Sequence, residues 1–281
     1  MRKILLANPT GLCFGVKRAI EAMEKKLEAQ GQLYCLGEPI HNPQEVARLE
    51  RKGLKVIADP SEAPPGALVF IRAHGVAPSV IDQLKEEGNQ VCDGSCPFVR
   101  MAQKRALELE GEGRFIVLAG DKNHPEVRAI LGCLKEEPYV VQHSTELADL
   151  DTMPKIGLLS QTTLPEEVFC DIARELAFHT SDLRVCKTIC AATVDRQAAI
   201  RVLARQCDGV VLIGGRNSAN TSKLFHIAQA EGGDVQWIEE ASQIDLDWLA
   251  TKHTLGIAAG ASTPDWLIEQ FIEVAQEAAE R

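Results

Sequence analysis

Cys13, Cys96 and Cys190 each stand immediately before an amphipathic stretch. A thiol at a helix start is turned towards thiolate by the backbone N–H groups and the helix dipole. Behind Cys13 come Val16, Ile20, Met23 and Leu27, and behind Cys96 come Val99, Ala102, Ala106 and Leu109. Behind Cys190 come Val194, Ala198 and Val202. Steps of three and four are those of a helix with one apolar face. A polar cluster follows each cysteine at the same offset of 28 residues, at His41, at His124 and at Ser218. Three thiolates are one ligand short of a closed structural zinc site. They suit a 4Fe-4S cluster with three cysteine ligands and one open iron, which can act as a Lewis acid.

A second cysteine pattern competes with the first. Cys92 and Cys96, like Cys186 and Cys190, are separated by three residues, within the usual spacing of zinc ligands. That reading leaves Cys13 idle, and Pro9 occupies the place where Cys13 would need its own partner. Cys92 and Cys186 also follow valines in strand-like runs. With Cys35, Cys133, Cys170 and Cys207 they are expected to be small packing residues.

The polar clusters supply the other half of the chemistry. His41, His74, His124, Thr162, Thr163, Ser218, Asn220 and Ser262 offer many hydrogen-bond donors with little fixed charge. With helix N-termini aimed inward they would line a diphosphate pocket. His143, His179, His226 and His253 have no such context and read as surface. Glu126 follows Pro125, and proline suits the first helical position. Its carboxylate either stabilises a helix N-terminus or serves as a general acid. The dipole favours the ionised form, and a neighbouring anionic diphosphate opposes it.

The elements that must position these groups repeat three times. After each cysteine helix comes a short apolar run: Tyr34 to Leu36, Phe115 to Ala119, and Val210 to Ile213. Further runs follow at Lys55 to Ile57, Tyr139 to Val141 and Val235 to Ile238. A third set, Val69 to Ile71, Ile156 to Leu159 and Leu255 to Ala258, ends in Ala73-His74-Gly75, Gln161-Thr162-Thr163 and Ala261-Ser262-Thr263. Alternating strand and helix predicts an α/β fold with mostly parallel sheets, whose functional groups gather at the carboxyl ends of strands. We therefore expect three pseudo-symmetric α/β units around a central cluster-containing cavity. Their boundaries are 14–95, 96–189 and 190–281, the last completed by 1–13. That completion follows because Ile4 to Ala7 precedes Cys13 as Asn89 to Cys92 precedes Cys96.

Composition narrows the functions. A chain of 281 residues, 45% hydrophobic and 25% charged, is an ordinary globular protein of two or three domains, which excludes disordered, collagenous and coiled-coil classes. A net charge of −10 argues against nucleic acid as a partner. No apolar run approaches the ~20 residues of a membrane helix, so no membrane partner is expected. The start of the chain lacks a signal-peptide core, and a cytoplasmic protein is expected. Neither a Walker A loop nor a dinucleotide fingerprint occurs, and Gly214-Gly215 is only a weak glycine signal.

Taken together, the motifs resemble those of the 4-hydroxy-3-methylbut-2-enyl diphosphate reductase family over essentially the whole chain. The resemblance is carried by Gly11-Leu12-Cys13-Phe14-Gly15-Val16, Ala73-His74-Gly75-Val76, Ser95-Cys96-Pro97 and His124-Pro125-Glu126-Val127. It continues through Gln161-Thr162-Thr163-Leu164, Ile189-Cys190-Ala191-Ala192-Thr193, Asn217-Ser218-Ala219-Asn220 and Ala259-Gly260-Ala261-Ser262. The resemblance implies a reductive dehydroxylation in the non-mevalonate isoprenoid pathway, giving isopentenyl and dimethylallyl diphosphates. It implies Cys13, Cys96 and Cys190 as cluster ligands, with the open iron taking the substrate hydroxyl. His41, His74, His124, Ser218, Asn220 and Ser262 match the diphosphate pocket, Thr162 the threonine near the hydroxyl, and Glu126 the proton donor. Ferredoxin or flavodoxin is the implied electron donor. Lys17, Arg18, Arg100, Lys104 and Arg105 are candidates for a docking face, against the plainer reading of a solvated helix surface.

Three positions depart from the family pattern. Ala219 stands where a second serine is frequent, Ser95 where a threonine is usual, and Ala191 where many members carry a bulkier residue. The alternatives are a cluster-bearing paralogue acting on another hydroxylated diphosphate, a non-catalytic redox sensor, and a zinc-stabilised structural protein.

Overall fold

A computed structural model describes residues 3–280. The chain opens with β1 (Lys3–Leu6) and then α1 (Phe14–Gln30), β2 (Leu33–Leu36), α2 (Pro43–Arg51) and β3 (Leu54–Ile57). It continues through β4 (Leu68–Ile71), α3 (Pro78–Glu86), β5 (Gln90–Asp93), α4 (Pro97–Gly111), β6 (Phe115–Ala119) and α5 (Pro125–Leu131). Next come β7 (Tyr139–Val141), β8 (Ile156–Ser160), α6 (Glu166–Leu176), β9 (Leu183–Val185), α7 (Ala191–Gln206) and β10 (Gly209–Ile213). The last elements are α8 (Ala219–Ala230), β11 (Val235–Ile238), α9 (Leu246–Ala250), β12 (Thr254–Ala259) and α10 (Asp265–Glu280).

Among the described residues the strands form three four-stranded sheets in the orders β3-β2-β4-β5, β7-β6-β8-β9 and β1-β12-β10-β11. Every pairing is parallel. The three orders are equivalent, so the fold is α/β with three pseudo-symmetric units. β1 pairs with β12 from Lys3 opposite Thr254 to Leu6 opposite Ile257, which brings the first strand into the last sheet. Met1, Arg2 and Arg281, at the ends of the third expected unit, lie outside the described residues.

By compactness the chain divides in two. One unit takes residues 3–17, Ile40–Arg48 and 191–280, and it holds the sheet of β1, β10, β11 and β12. The other takes Arg18–Pro39 and Leu49–Cys190 and holds the remaining two sheets. Both faces of the first unit's sheet are covered. Val211, Ile213, Leu255 and Ile257 pack with Leu249 and Phe271, while Val210, Leu212 and Ala258 pack with Ile200, Leu203 and Leu224. Double coverage is why these strands read as unbroken apolar runs rather than alternating ones. In the second unit Leu118 and Leu159 pack with Ala102, Ala106, Leu109 and Ile130, and Val69 and Ile71 pack with Leu36 and Leu84.

The stripes read from sequence hold on two helices and fail on the third. Ile20, Met23 and Leu27 of α1, and Val99, Ala102, Ala106 and Leu109 of α4, are buried. On α7 the buried face is instead Thr193, Arg196, Gln197, Ile200, Leu203 and Ala204, whereas Ala198 and Val202 face solvent. The expected stripe was displaced because polar residues occupy the inward positions near the start of this helix. Among the described residues no helix is long and apolar enough to cross a membrane.

Candidate active site

The three cysteines occupy one position in the repeat. Each lies between an edge strand (β1, β5 or β9) and a helix start (α1, α4 or α7), and each is half-buried. Each also turns back to the interior strand of its own sheet. The N–H groups of Cys13, Cys96 and Cys190 donate to the carbonyls of Ala261, Ala73 and Thr162 at 3.1, 2.9 and 3.0 Å. Those acceptors sit two residues past the ends of β12, β4 and β8. Using the cysteine N–H in this way fixes the backbone while leaving the sulfur to point elsewhere, and the following helix supplies its positive end.

The other cysteines differ. Cys35 is fully buried, and burial pushes its thiol up to about 12. Burial also raises Cys133 and Cys207, so these three stay protonated and serve packing. Cys92 lies on edge strand β5 and Cys186 follows edge strand β9 of a different sheet. Cys170, expected to be a packing residue, is exposed on α6. Its neighbours Phe169 and Ile172 take the buried positions of that helix.

In the second unit the loops after β4, β6 and β8 carry one connected polar group. Glu126, 2% exposed, lies in the first turn of α5. Its Oε1 accepts the Thr162 N–H at 2.6 Å and its Oε2 accepts the Thr162 hydroxyl at 2.8 Å. The Glu126 N–H donates to Nδ1 of His124, the cap of this helix, at 3.2 Å. With Nδ1 accepting, the neutral imidazole carries its proton on Nε2. The rings of His74 and His124 meet edge to face with centroids 5.4 Å apart. Thr162 also accepts the Cys190 N–H through its carbonyl, so one residue joins the acid to a cysteine loop. Thr163 takes a hydrogen bond from Gln161 Nε2 at 2.9 Å, and Gln161 Oε1 accepts the Asp121 N–H at 3.1 Å.

In the first unit the loops after β10 and β12 frame the start of α8. Ser218 caps this helix, its hydroxyl accepting the Thr221 N–H at 3.3 Å. Ser218 and Asn220 are buried. Thr263 donates its hydroxyl to Ile213 O at 2.9 Å, which ties the loop holding Ser262 to the end of β10. A side chain at Gly215 would put its Cβ 2.4 Å from His41 O, so only glycine lets the His41 backbone lie against the Ser218 loop. Gly214, with φ +154°, needs glycine for conformation as well as for space beside Thr221.

Sequence reasoning missed four contributors: Arg18, Thr188, Arg196 and Thr221. Arg18 was grouped with a docking face, yet its guanidinium is turned to the carbonyls of Gly94 and Ser95. Of the remaining docking candidates, Lys17 is exposed, Arg100 pairs with Asp93, and Lys104 and Arg105 pair with Glu108. His179, expected at the surface, is half-buried with Nδ1 2.7 Å from Leu150 O, because the turn after α6 folds onto the segment before β8. His143, His226 and His253 are exposed as expected.

The profile of the family described as LytB protein matches residues 4–276. The chain belongs to that family. A 4-hydroxy-3-methylbut-2-enyl diphosphate reductase from Aquifex aeolicus is 39% identical over 100% of this chain and 98% of its own. A Geobacter sulfurreducens protein of the same description is 38% identical over 98% and 97%. Among solved structures, one described as (E)-4-hydroxy-3-methyl-but-2-enyl diphosphate reductase, the terminal enzyme of the non-mevalonate pathway, superposes with TM-score 0.75 at 39% identity, covering 99% of this chain and 100% of that one. The E-1-hydroxy-2-methyl-but-2-enyl-4-diphosphate reductase of Plasmodium falciparum superposes with TM-score 0.91 at 26% identity, over 97% and 87%.

Proposed function

We propose that this chain is an iron–sulfur oxidoreductase that removes the hydroxyl of 4-hydroxy-3-methylbut-2-enyl diphosphate reductively. Two electrons and two protons enter, the C–O bond breaks, and water leaves with isopentenyl or dimethylallyl diphosphate as product. The observation that carries the reading is the equivalence of Cys13, Cys96 and Cys190, each with its N–H on the carbonyl two residues past an interior strand. It stands in a chain whose full-length relatives bear this reductase name at 38–39% identity.

The donor set fits a 4Fe-4S cluster, with Cys13, Cys96 and Cys190 as its three ligands and one iron left open. The cluster, when bound, supplies low-potential electrons and a Lewis-acidic iron. The remaining chemistry belongs to the chain. Glu126 holds a proton at its carboxyl, and the Thr162 hydroxyl, 2.8 Å from Oε2, passes it towards the substrate oxygen. His124 orients the start of α5 through Nδ1 and presents Nε2–H as a donor. His41, His74, His124, Thr163, Ser218, Asn220 and Ser262 bind the diphosphate with neutral donors, helped by the N-terminus of α8. Neutral donors suit a protein of net charge −10, because they bind the anion without adding buried fixed charge. Ferredoxin or flavodoxin supplies the electrons, and a reducing cytoplasm keeps the thiols available as ligands.

Iron and acid-labile sulfide in anaerobically purified protein test the ligand set. Serine at Cys13, Cys96 or Cys190 is expected to deplete both, and serine at Cys92 or Cys186 to spare them. Stoichiometric zinc held by Cys92, Cys96, Cys186 and Cys190 would overturn the reading.

A further inference from the structure

Two of the three cysteine loops are held by an arginine that the proposed chemistry does not use. Arg18 on α1 donates from Nη2 to Gly94 O at 3.1 Å and to Ser95 O at 2.5 Å. The N–H of that same Ser95–Cys96 peptide donates to Ala73 O at 2.9 Å. The peptide is therefore gripped at both ends of its dipole, and its plane sets the direction from which Cys96 leaves the chain. Ser95 is only 4% exposed, so no solvent competes for the carbonyl. Arg196 on α7, itself 4% exposed, donates from Nη2 to Gly11 O at 2.7 Å and from Nη1 to Ala192 O at 3.1 Å. Gly11 lies two residues before Cys13, as Gly94 lies two before Cys96.

The third loop is tied without charge. Thr188, two residues before Cys190, accepts the Ser160 N–H at 2.8 Å and donates to Ser160 O at 2.5 Å. A hydroxyl thus suffices to hold such a loop. A guanidinium cannot shed its proton, and burying it costs far more than burying a hydroxyl. Fixed positive charge beside a thiolate-ligated cluster favours the reduced, more negative form. Groups behind metal ligands both orient them and tune the metal.

We infer that Arg18 and Arg196 are positioning residues that fix Cys96 and Cys13 and raise the reduction potential of the cluster, while Thr188 fixes Cys190 without changing that potential. The inference rests on the cluster reading above. Wild-type protein that purifies anaerobically without iron and sulfide removes that reading before any variant is made.

The test uses the full-length loaded protein, with redox titration of the cluster and iron release to a chelator as readouts. Arg18→Gln and Arg196→Gln are expected to lower the midpoint potential, and Arg18→Lys and Arg196→Lys to stay close to wild type. Thr188→Val is expected to leave the potential unchanged. Release is expected to quicken by about tenfold in the glutamine and valine variants. Arg205→Gln is the control, an exposed arginine of α7 paired with Glu231. Glutamine variants that hold a full cluster at the wild-type potential overturn the inference. If they do not load, the lysine variants decide. Loading at the wild-type potential supports the inference, and failure to load on a protein that melts like wild-type apoprotein overturns it.

Discussion

Removing the Thr162 hydroxyl isolates the link between acid and substrate. Thr162→Val keeps the shape of the side chain and the backbone N–H that holds Glu126 Oε1 at 2.6 Å. It also keeps the carbonyl that receives the Cys190 N–H. The 2.8 Å hydrogen bond to Oε2 is lost. Because Glu126 is 2% exposed, water cannot replace the missing donor. Removing one partner of a buried hydrogen bond costs about 1–3 kcal/mol, so the folded state should lose about that much. If the hydroxyl also relays the proton, kcat should fall by about 10²–10⁴, the usual contribution of a positioned acid. Anaerobic dye-linked turnover gives kcat, and urea unfolding gives stability. The cluster spectrum should not change, since no ligand has moved. Thr162→Ser should recover most of the rate. A valine variant within about threefold of wild-type kcat, well below the range for acid catalysis, would refute the relay.

Three further outcomes follow from particular residues. Ala219→Ser at the first position of α8 adds a hydroxyl beside the proposed diphosphate pocket. One extra neutral hydrogen bond of about 0.5–1.5 kcal/mol should lower KM by about two- to tenfold with kcat unchanged, as steady-state kinetics would show. Asp208 caps the start of β12 by accepting the Thr254 and His253 N–H groups, and these bonds, that to Thr254 foremost, hold its carboxyl below the usual range. A depressed native value means that the unfolded chain binds more protons there, so this contribution is present above about pH 4 and is lost as pH falls through the native value. Asp208→Asn should therefore lower stability at neutral pH and flatten its acid limb in denaturation curves taken from pH 6 to 3. Reversing Arg100 and Lys104 to Glu should slow turnover driven by ferredoxin and spare turnover driven by a small dye, and equal loss with both would remove the docking face.

Much of the fold was legible because the repeat is written in short apolar runs. Phe115 to Ala119 and Tyr139 to Val141 became strands with the same bounds, and the place of Ile4 to Ala7 before Cys13 foretold the pairing of β1 with β12. Among the candidate residues, Glu126 is bonded to Thr162 and to His124 within the second unit. What stayed hidden were buried charges. An arginine in a sequence reads as solvent-facing, and the acceptor that draws Arg196 inward is the Gly11 carbonyl, 185 positions away. Arg18, which is half-buried, was grouped with surface residues for the same reason, with carbonyls 76 and 77 positions away as its partners. On α7 the apolar residues Ala198 and Val202 lie outside, and the inward spacing of Thr193, Arg196, Gln197 and Ile200 was the available signal. Backbone carbonyls leave no mark in side-chain pattern, so contacts made to them are the last to be read.

The most direct measurement is anaerobic turnover of 4-hydroxy-3-methylbut-2-enyl diphosphate with reduced viologen as donor, with the products identified by mass spectrometry. Oxidation of two dye equivalents per substrate, giving isopentenyl and dimethylallyl diphosphates and collapsing in Glu126→Gln, is the predicted result. Protein that carries its full iron and sulfide yet leaves this substrate and the dye unchanged would contradict the account.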